Sequence, residues 1–217
     1  MGAVKIVQCW DDGVRDDIRL TEILRRHGAK ASFNLNWANH TESVTGGWKY
    51  KDHEVIALSR GEIREVYDGF LVANHSLTHP HLDQIAPEAA AQEIRENRDA
   101  LEQHFGYQVT GFAYPFGSYN QTVMDLVRES GHVYARTCEN VAQVFAPADT
   151  MALPTNCHFS APDFWERLEN VGEVFYFWGH SYEIITEAEW ADFEAKIACI
   201  SATPGAEWAN LPDLFAS

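Results

Sequence analysis

Apolar and polar positions along this chain alternate between two rhythms. Residues 4–9 form a short apolar, β-rich run that stops at Asp11-Asp12-Gly13, and residues 16–27 then carry Ile18, Ile23 and Leu24 at helical spacing before Gly28. The same strand, loop and helix unit recurs. Residues 31–36 predict a strand, 61–67 a short helix, and 70–73 a buried strand running into His75. Pro87 opens a helix in which residues 88–105 place Ile94, Leu101 and Phe105 on one face, with Gly106 as its stop. Strands are then expected at 112–114, 133–135 and 174–178, and helices at 120–129, 163–169 and 187–200.

Alternation of this kind predicts an α/β chain with a parallel sheet inside its helices. No dividing linker is visible, so residues 1–217 are expected to form one closed or nearly closed barrel rather than two domains. The polar residues fall tellingly in that scheme. Asp11 and Asp12 follow the first strand, His75 the third, Pro115 to Gly117 the fourth and His180 a late one. All sit at strand C-terminal ends, where α/β barrels build their sites.

Composition narrows the class. The chain has 46% hydrophobic and 22% charged residues, a globular balance, and its formal net charge of -16 opposes phosphate backbones and anionic lipid surfaces. Nucleic acid and membrane are therefore not expected partners. The first ten residues turn polar too soon for a signal peptide, and no apolar run reaches the ~18 residues of a membrane span, so the chain as given reads as cytoplasmic. Cys9, Cys138, Cys157 and Cys199 lack CxxC spacing and are expected as reduced, mostly buried thiols.

Two clusters suggest chemistry. Asp11-Asp12-Gly13 places two carboxylates on one loop, so that one can bind a metal while the other faces the water it activates; the same tripeptide also serves as a plain turn. His75-Ser76-Leu77-Thr78-His79 sets two imidazoles four residues apart, able to converge on one ion or to sit as unrelated histidines. Tyr114-Pro115-Phe116-Gly117 is an apolar strand end turned so that a backbone N–H can be exposed, and His180 ends the aromatic strand that contains Trp178.

Taken in order, Asp-Asp-Gly, His-Ser-x-x-His, a Pro-aromatic-Gly turn and a late Gly-His resemble the polysaccharide deacetylases of carbohydrate esterase family 4, the nodulation-type chitooligosaccharide deacetylase homology domain. The resemblance runs from Val4 to about His180. It implies a distorted, partly open (β/α) barrel with the site at the strand C-terminal ends. It implies Asp11 as general base, His180 as general acid, and Asp12, His75 and His79 as ligands of one divalent metal, Zn²⁺ first, with Co²⁺, Mn²⁺ or Ni²⁺ as alternatives. Pro115, Phe116 and Trp178 fall at the implied oxyanion and substrate positions. The implied activity is removal of an acetyl or similar acyl group from an amide or ester on a glycan or acetylated sugar. Hydrolysis of a small linear or cyclic amide or ureide, and a non-catalytic carbohydrate-binding domain, are the competing readings.

The chain departs from the family's pattern where an arginine stands before x-Pro-Tyr, because Ala113 and Phe116 occupy those positions. The N–H donor survives the change to Phe, whereas the guanidinium is lost. Arg136, leaving the next predicted strand, is the candidate replacement. No fourth motif of the family is found. Trp10, Trp37, Trp178 and Tyr182 are candidate sugar-stacking surfaces. His27, His40, His53, His81, His104, His132 and His158 are read as structural or solvated, and Glu183 either orients His180 or is a surface carboxylate.

Overall fold

The computed structural model describes residues 3–43 and 47–215. It opens with β1 (Val4–Asp11), α1 (Asp16–Arg26) and β2 (Ser32–Leu35), followed by an antiparallel hairpin of β3 (Gly47–Tyr50) and β4 (His53–Ile56). α2 (Arg60–Val66), β5 (Leu71–Asn74), α3 (Pro87–Phe105), β6 (Gly111–Ala113), α4 (Gln121–Glu129) and β7 (Tyr134–Asn140) continue the alternation. β8 (Leu153–Thr155), β9 (Cys157–His158), α5 (Phe164–Glu169), β10 (Val174–Gly179), α6 (Glu187–Ala202) and β11 (Ala206–Trp208) complete it. The main sheet runs β8-β7-β6-β5-β2-β1-β10-β9 with every pair parallel, and β11 lies along the first half of β1.

The two ends of that sheet are halves of one extended segment. Leu153 and Thr155 stand level with Arg136 and Asn140 of β7, while Cys157 and His158 stand level with Phe177 and Trp178 of β10. At the crossing, Asn156 donates its N–H to the Tyr176 carbonyl and accepts the Tyr176 N–H on its side chain, both at 2.7 Å. The barrel is thereby nearly closed, as the alternation predicts.

Period-two alternation on β1 sorts interior from exterior. Val7 and Cys9 join Tyr134, Leu153, Val174 and Tyr176 in one cluster, the barrel filling. Ile6 and Trp10 face the other way, with Phe33, Leu35, Phe175 and Phe177, onto Leu20, Ile23, Leu24, Phe193, Ile197 and Ile200 of α1 and α6. A third cluster packs Phe112 and Ala135 against Ile94 of α3 and Val123 and Val127 of α4. Each fully buried large apolar side chain contributes roughly 1.5–3 kcal/mol.

The same alternation corrects one expectation. Trp10 is wholly buried, its rings 5.2 Å from Phe159 and 5.3 Å from Phe193, so it cannot stack on a sugar. Its neighbour Asp11 falls on the interior face with Val7 and Cys9, at the barrel mouth. A second correction concerns β7, which runs through Arg136 to Asn140, so Arg136 lies within a strand and does not leave it. The hairpin, β8, β9 and β11 are additions to the expected elements. They are two to four residues long, too short for a periodicity. All four cysteines are free; Cys9 and Cys157 are buried, Cys138 is half-buried and Cys199 is exposed.

Candidate active site

Register brings the polar residues to one level. Asp11 pairs across with Asn34 of β2, Leu35 with Asn74 of β5, and Ala113 with Arg136 of β7, so their strand ends open on the same mouth. The loops leaving these strands are strained. Asp12 (φ 79°), Ser76 (φ 61°), His79 (φ 63°) and Phe116 (φ 58°) are four of the five non-glycine residues with positive φ among those described. Each such conformation costs about 1–3 kcal/mol and persists only where the surroundings fix it. Gly13 (φ 65°) follows Asp12, and a Cβ there would stand 2.6 Å from the buried His40 ring.

Asparagines do much of the fixing. Asn36 donates its side-chain N–H to the His75 and Ser76 carbonyls, and Asn74 accepts the Ser76 N–H at 2.9 Å. Asn97 of α3 donates to Asn74 at 2.7 Å and to the Leu35 carbonyl at 2.8 Å. All three are buried, so the amides replace hydration that the loop has lost.

Asp12, His75 and His79 converge. Asp12 Oδ1 lies 3.9 Å from His75 Nε2 and 3.8 Å from His79 Nε2, and the two Nε2 atoms are 3.2 Å apart. Donors bound at 2.0–2.2 Å to one tetrahedral ion stand about 3.3–3.6 Å from each other. These separations bracket that range, and a carboxylate with two imidazoles is an ordinary donor set for a divalent ion, so the residues fit one. His75 Nδ1 is 2.7 Å from the Ala113 carbonyl, which can only accept, so the hydrogen sits on Nδ1 and the Nε2 lone pair faces the cluster. Burial pushes the His75 imidazole down to about 4, keeping it neutral. Tyr182 donates its hydroxyl to Asp12 Oδ2 at 3.2 Å.

Asp11 has a different environment. Asn34 donates to its Oδ1 at 2.6 Å and Arg136 to its Oδ2 at 2.5 Å, with Asp11 and Arg136 both buried. Burial alone raises this carboxyl, but the Arg136 guanidinium, then His75 and His180, outweigh it and hold Asp11 well below the usual carboxylate range. Arg136, level with Ala113 in register on the next strand, thus brings a guanidinium to Asp11.

His180 follows β10 and stands with Nε2 3.8 Å from Asp11 Oδ2 and 3.9 Å from Asp12 Oδ2. Its Nδ1 is 3.5 Å from Glu183 Oε2, and that same oxygen is 2.8 Å from His158 Nε2. Burial lowers His180, but Glu183, with Asp11 and Asp12, overrides it and raises the imidazole above its ordinary value. Burial raises Glu183, but the two imidazoles bring it down to about 2. The turn Ser181–Glu183 is anchored from below, where buried Asp17 of α1 accepts the Ser181 hydroxyl and the Tyr67 hydroxyl at 2.6 Å each.

At the rim, Pro115 is buried while Phe116 is 59% exposed, its ring stacked 3.9 Å from His81 and edge-on 4.4 Å from His79. Trp178 lies beside His158 at 4.9 Å and His180 at 5.5 Å, with the Arg136 guanidinium 4.7 Å from its ring. Tyr182 packs against Trp48 and Tyr50 of the hairpin.

Trp37 is placed differently from the expected stacking role, since it packs on Arg60 and His104. Of the histidines read as structural or solvated, His81 and His158 reach the mouth. The others do not: His27 pairs with Glu194 and His53 with Asp16, while His40 and His132 are buried and hydrogen-bonded to the Leu58 and Val127 carbonyls. Glu183 is likewise no plain surface carboxylate.

The fold and this mouth together define a nearly closed parallel (β/α) barrel with a carboxylate-imidazole cluster at its strand C-terminal ends. Residues 2–135 match the family model described as polysaccharide deacetylase, and the chain belongs to that family. It is 27% identical over 124 residues to the chitooligosaccharide deacetylase of Rhizobium leguminosarum bv. trifolii, covering 56% of this chain and 51% of that protein. It is 25% identical over 111 residues to the protein YlxY of Bacillus subtilis (strain 168), covering 51% of this chain and 30% of that one. The chain thus aligns with about half or less of these relatives' length. In fold it is similar to a family 4 carbohydrate esterase from Streptomyces lividans in complex with acetate, with a TM-score of 0.61, 17% identity, and coverage of 96% and 92%.

Proposed function

We propose that this protein is a divalent-metal-dependent hydrolase that removes an acetyl or similar acyl group from an amide or ester on a glycan or acetylated sugar, acting as a single catalytic domain. The observation that carries the reading is the juxtaposition at Asp11. An ionised carboxylate, fixed by Asn34 and Arg136, stands next to Asp12 of the Asp12-His75-His79 cluster in sequence, and His180 lies within 3.9 Å of both carboxylates. A binding module needs neither such a base nor such an acid.

Asp12, His75 and His79 would hold the cation, Zn²⁺ first, with Co²⁺, Mn²⁺ or Ni²⁺ as alternatives. When bound, it supplies Lewis-acid polarisation of the acyl carbonyl and acidifies water toward ~7. Asp11 accepts the proton of the attacking water through Oδ2, the oxygen facing His180. Arg136 keeps that carboxylate ionised at every working pH, so the base is always available. His180, whose protonated form the carboxylates around it favour, donates a proton to the leaving amine or alcohol. Among the described residues the Phe116 amide N–H makes no backbone hydrogen bond outside its own turn, and it serves as donor to the oxyanion. Trp178 and the exposed Phe116 ring flank the substrate.

The test is acetate release from a panel of acetylated aminosugars together with metal content, for wild type, Asp12→Ala and Asp11→Asn. Wild type binds metal and turns over, Asp12→Ala loses turnover together with the ion of its own cluster, and Asp11→Asn keeps that ion without turnover. Absence of bound metal, or turnover undiminished in both variants, rejects the reading.

A further inference from the structure

Behind His180, on the side away from Asp11, stands a second group of donors that shares this imidazole with the proposed reaction. His158 ends β9, His180 follows β10, and Glu183 closes the turn that comes directly after His180. Glu183 Oε2 lies 2.8 Å from His158 Nε2 and 3.5 Å from His180 Nδ1, and one donor atom from each of the three lies within 4.8 Å of the others.

We propose that His158, His180 and Glu183 form a second divalent-cation site, and that an ion bound there withdraws His180 from its part in turnover. Several observations support it. Two imidazoles and a carboxylate are a borderline N,N,O donor set of the kind Zn²⁺ takes; the 3.5 Å separation falls within the roughly 3.3–3.6 Å between ligands of one tetrahedral ion, and the 2.8 Å contact opens by about half an ångström to admit one. Glu183 Oε2 and His180 Nδ1 are buried atoms held by ion-pair contacts, to His158 and to each other, rather than by aligned hydrogen bonds, and an ion can replace those contacts. His158 Nδ1, on the opposite side of its ring, is 2.8 Å from the Ser160 hydroxyl, an outer contact of the kind that fixes a ligand histidine. The three side chains remain 20–24% exposed, open enough for an ion to enter, and a net charge of -16 concentrates cations around the molecule.

One imidazole thus separates two clusters. Nε2 of His180 faces Asp11 and Asp12, and Nδ1 faces Glu183. An ion on Nδ1 ties the ring to Glu183 and His158 on that side, so the ring is no longer free to serve a leaving group at Nε2. This inhibitory half rests on the hydrolase reading above; the binding half does not.

Calorimetric titration of the metal-free chain with Zn²⁺ separates the two. Wild type takes up two equivalents, His158→Ala one, His79→Ala one, and the double variant neither. Glu183→Gln, which preserves shape, weakens the second equivalent at least tenfold and serves if His158→Ala fails to fold. A single equivalent in wild type, or two of unchanged affinity in either second-site variant, overturns the site. For turnover, Zn²⁺ beyond one equivalent inhibits wild type at least tenfold and leaves His158→Ala uninhibited. Equal inhibition in both overturns the inhibitory role. A chain without hydrolase activity still yields the binding result, so the two readings fail separately.

Discussion

Arg136 Nη2 stands 2.5 Å from Asp11 Oδ2, across 125 residues of sequence, with both side chains buried. A buried ion pair gains little over an apolar pair, but removal of one partner leaves an uncompensated charge and costs about 3–5 kcal/mol.

Arg136→Met is therefore expected to lower stability by an amount in that range at pH 7 and to reduce turnover. Asp11 is depressed in the folded state, so its contribution is present above the unfolded carboxylate value and is lost as pH falls through the folded one. The Met variant raises the Asp11 pKa, and the acid limb of its turnover profile moves to higher pH. Denaturant melts and a pH–rate profile check both; an unchanged profile in Arg136→Met removes the role assigned to this pair.

Asp17 carries the opposite sign. Burial raises it to about 7, against the hydrogen bonds from Ser181 and Tyr67 that lower it. Its folded pKa exceeds its unfolded one, so its contribution is full below about 4 and declines as pH rises toward 7. Asp17→Asn should leave melting temperature unchanged near pH 4 and raise it at pH 8. A variant destabilised equally at both pH values would contradict this.

The proposed cation should stabilise the fold by mass action, about 2.7 kcal/mol at a hundredfold excess over its dissociation constant. A chelator is expected to lower the melting temperature of wild type by more than that of His79→Ala. Equal responses would place the stabilising ion elsewhere.

Substitution of His180 by Asn should lower kcat about 10²–10⁴-fold. Uptake of cation at Asp12, His75 and His79 should persist, and the loss should be smaller for substrates whose leaving group is already a weak base. A uniform loss across leaving groups would argue that His180 only shapes the mouth.

Gly13→Ala puts a side chain at φ 65° with its Cβ 2.6 Å from His40 and 2.8 Å from Leu35. Loss of more than ~1 kcal/mol in a denaturant melt is expected, and loss of cation affinity with it, because Asp12 depends on that turn. A melt indistinguishable from wild type would show that the turn can relax.

The legible part of the site was what lies close along the chain. Asp11-Asp12-Gly13 and His75 to His79 are local patterns, and their positions after strands follow from hydrophobic periodicity. Asn34 and Asn36, polar at alternate positions of a strand end, are a visible signal of residues turned toward the mouth. Asn74 and Asn97 gave none, because each is meaningful only through a partner on another element. His81 and His158 look like any surface histidine until Phe116 and Glu183 are set beside them.

The sequence by itself determined the alternation of strands and helices, the barrel, the end of it that carries the polar residues and the family resemblance. Those features are short-range: burial on a pleated or helical surface imposes its period within a few residues. Only the tertiary structure decided that Trp10 faces the helices, that Arg136 reaches Asp11, and that Glu183 lies between two imidazoles. Each depends on strand register and on closure of the sheet by residues 153–158, relations among distant segments that no local period encodes.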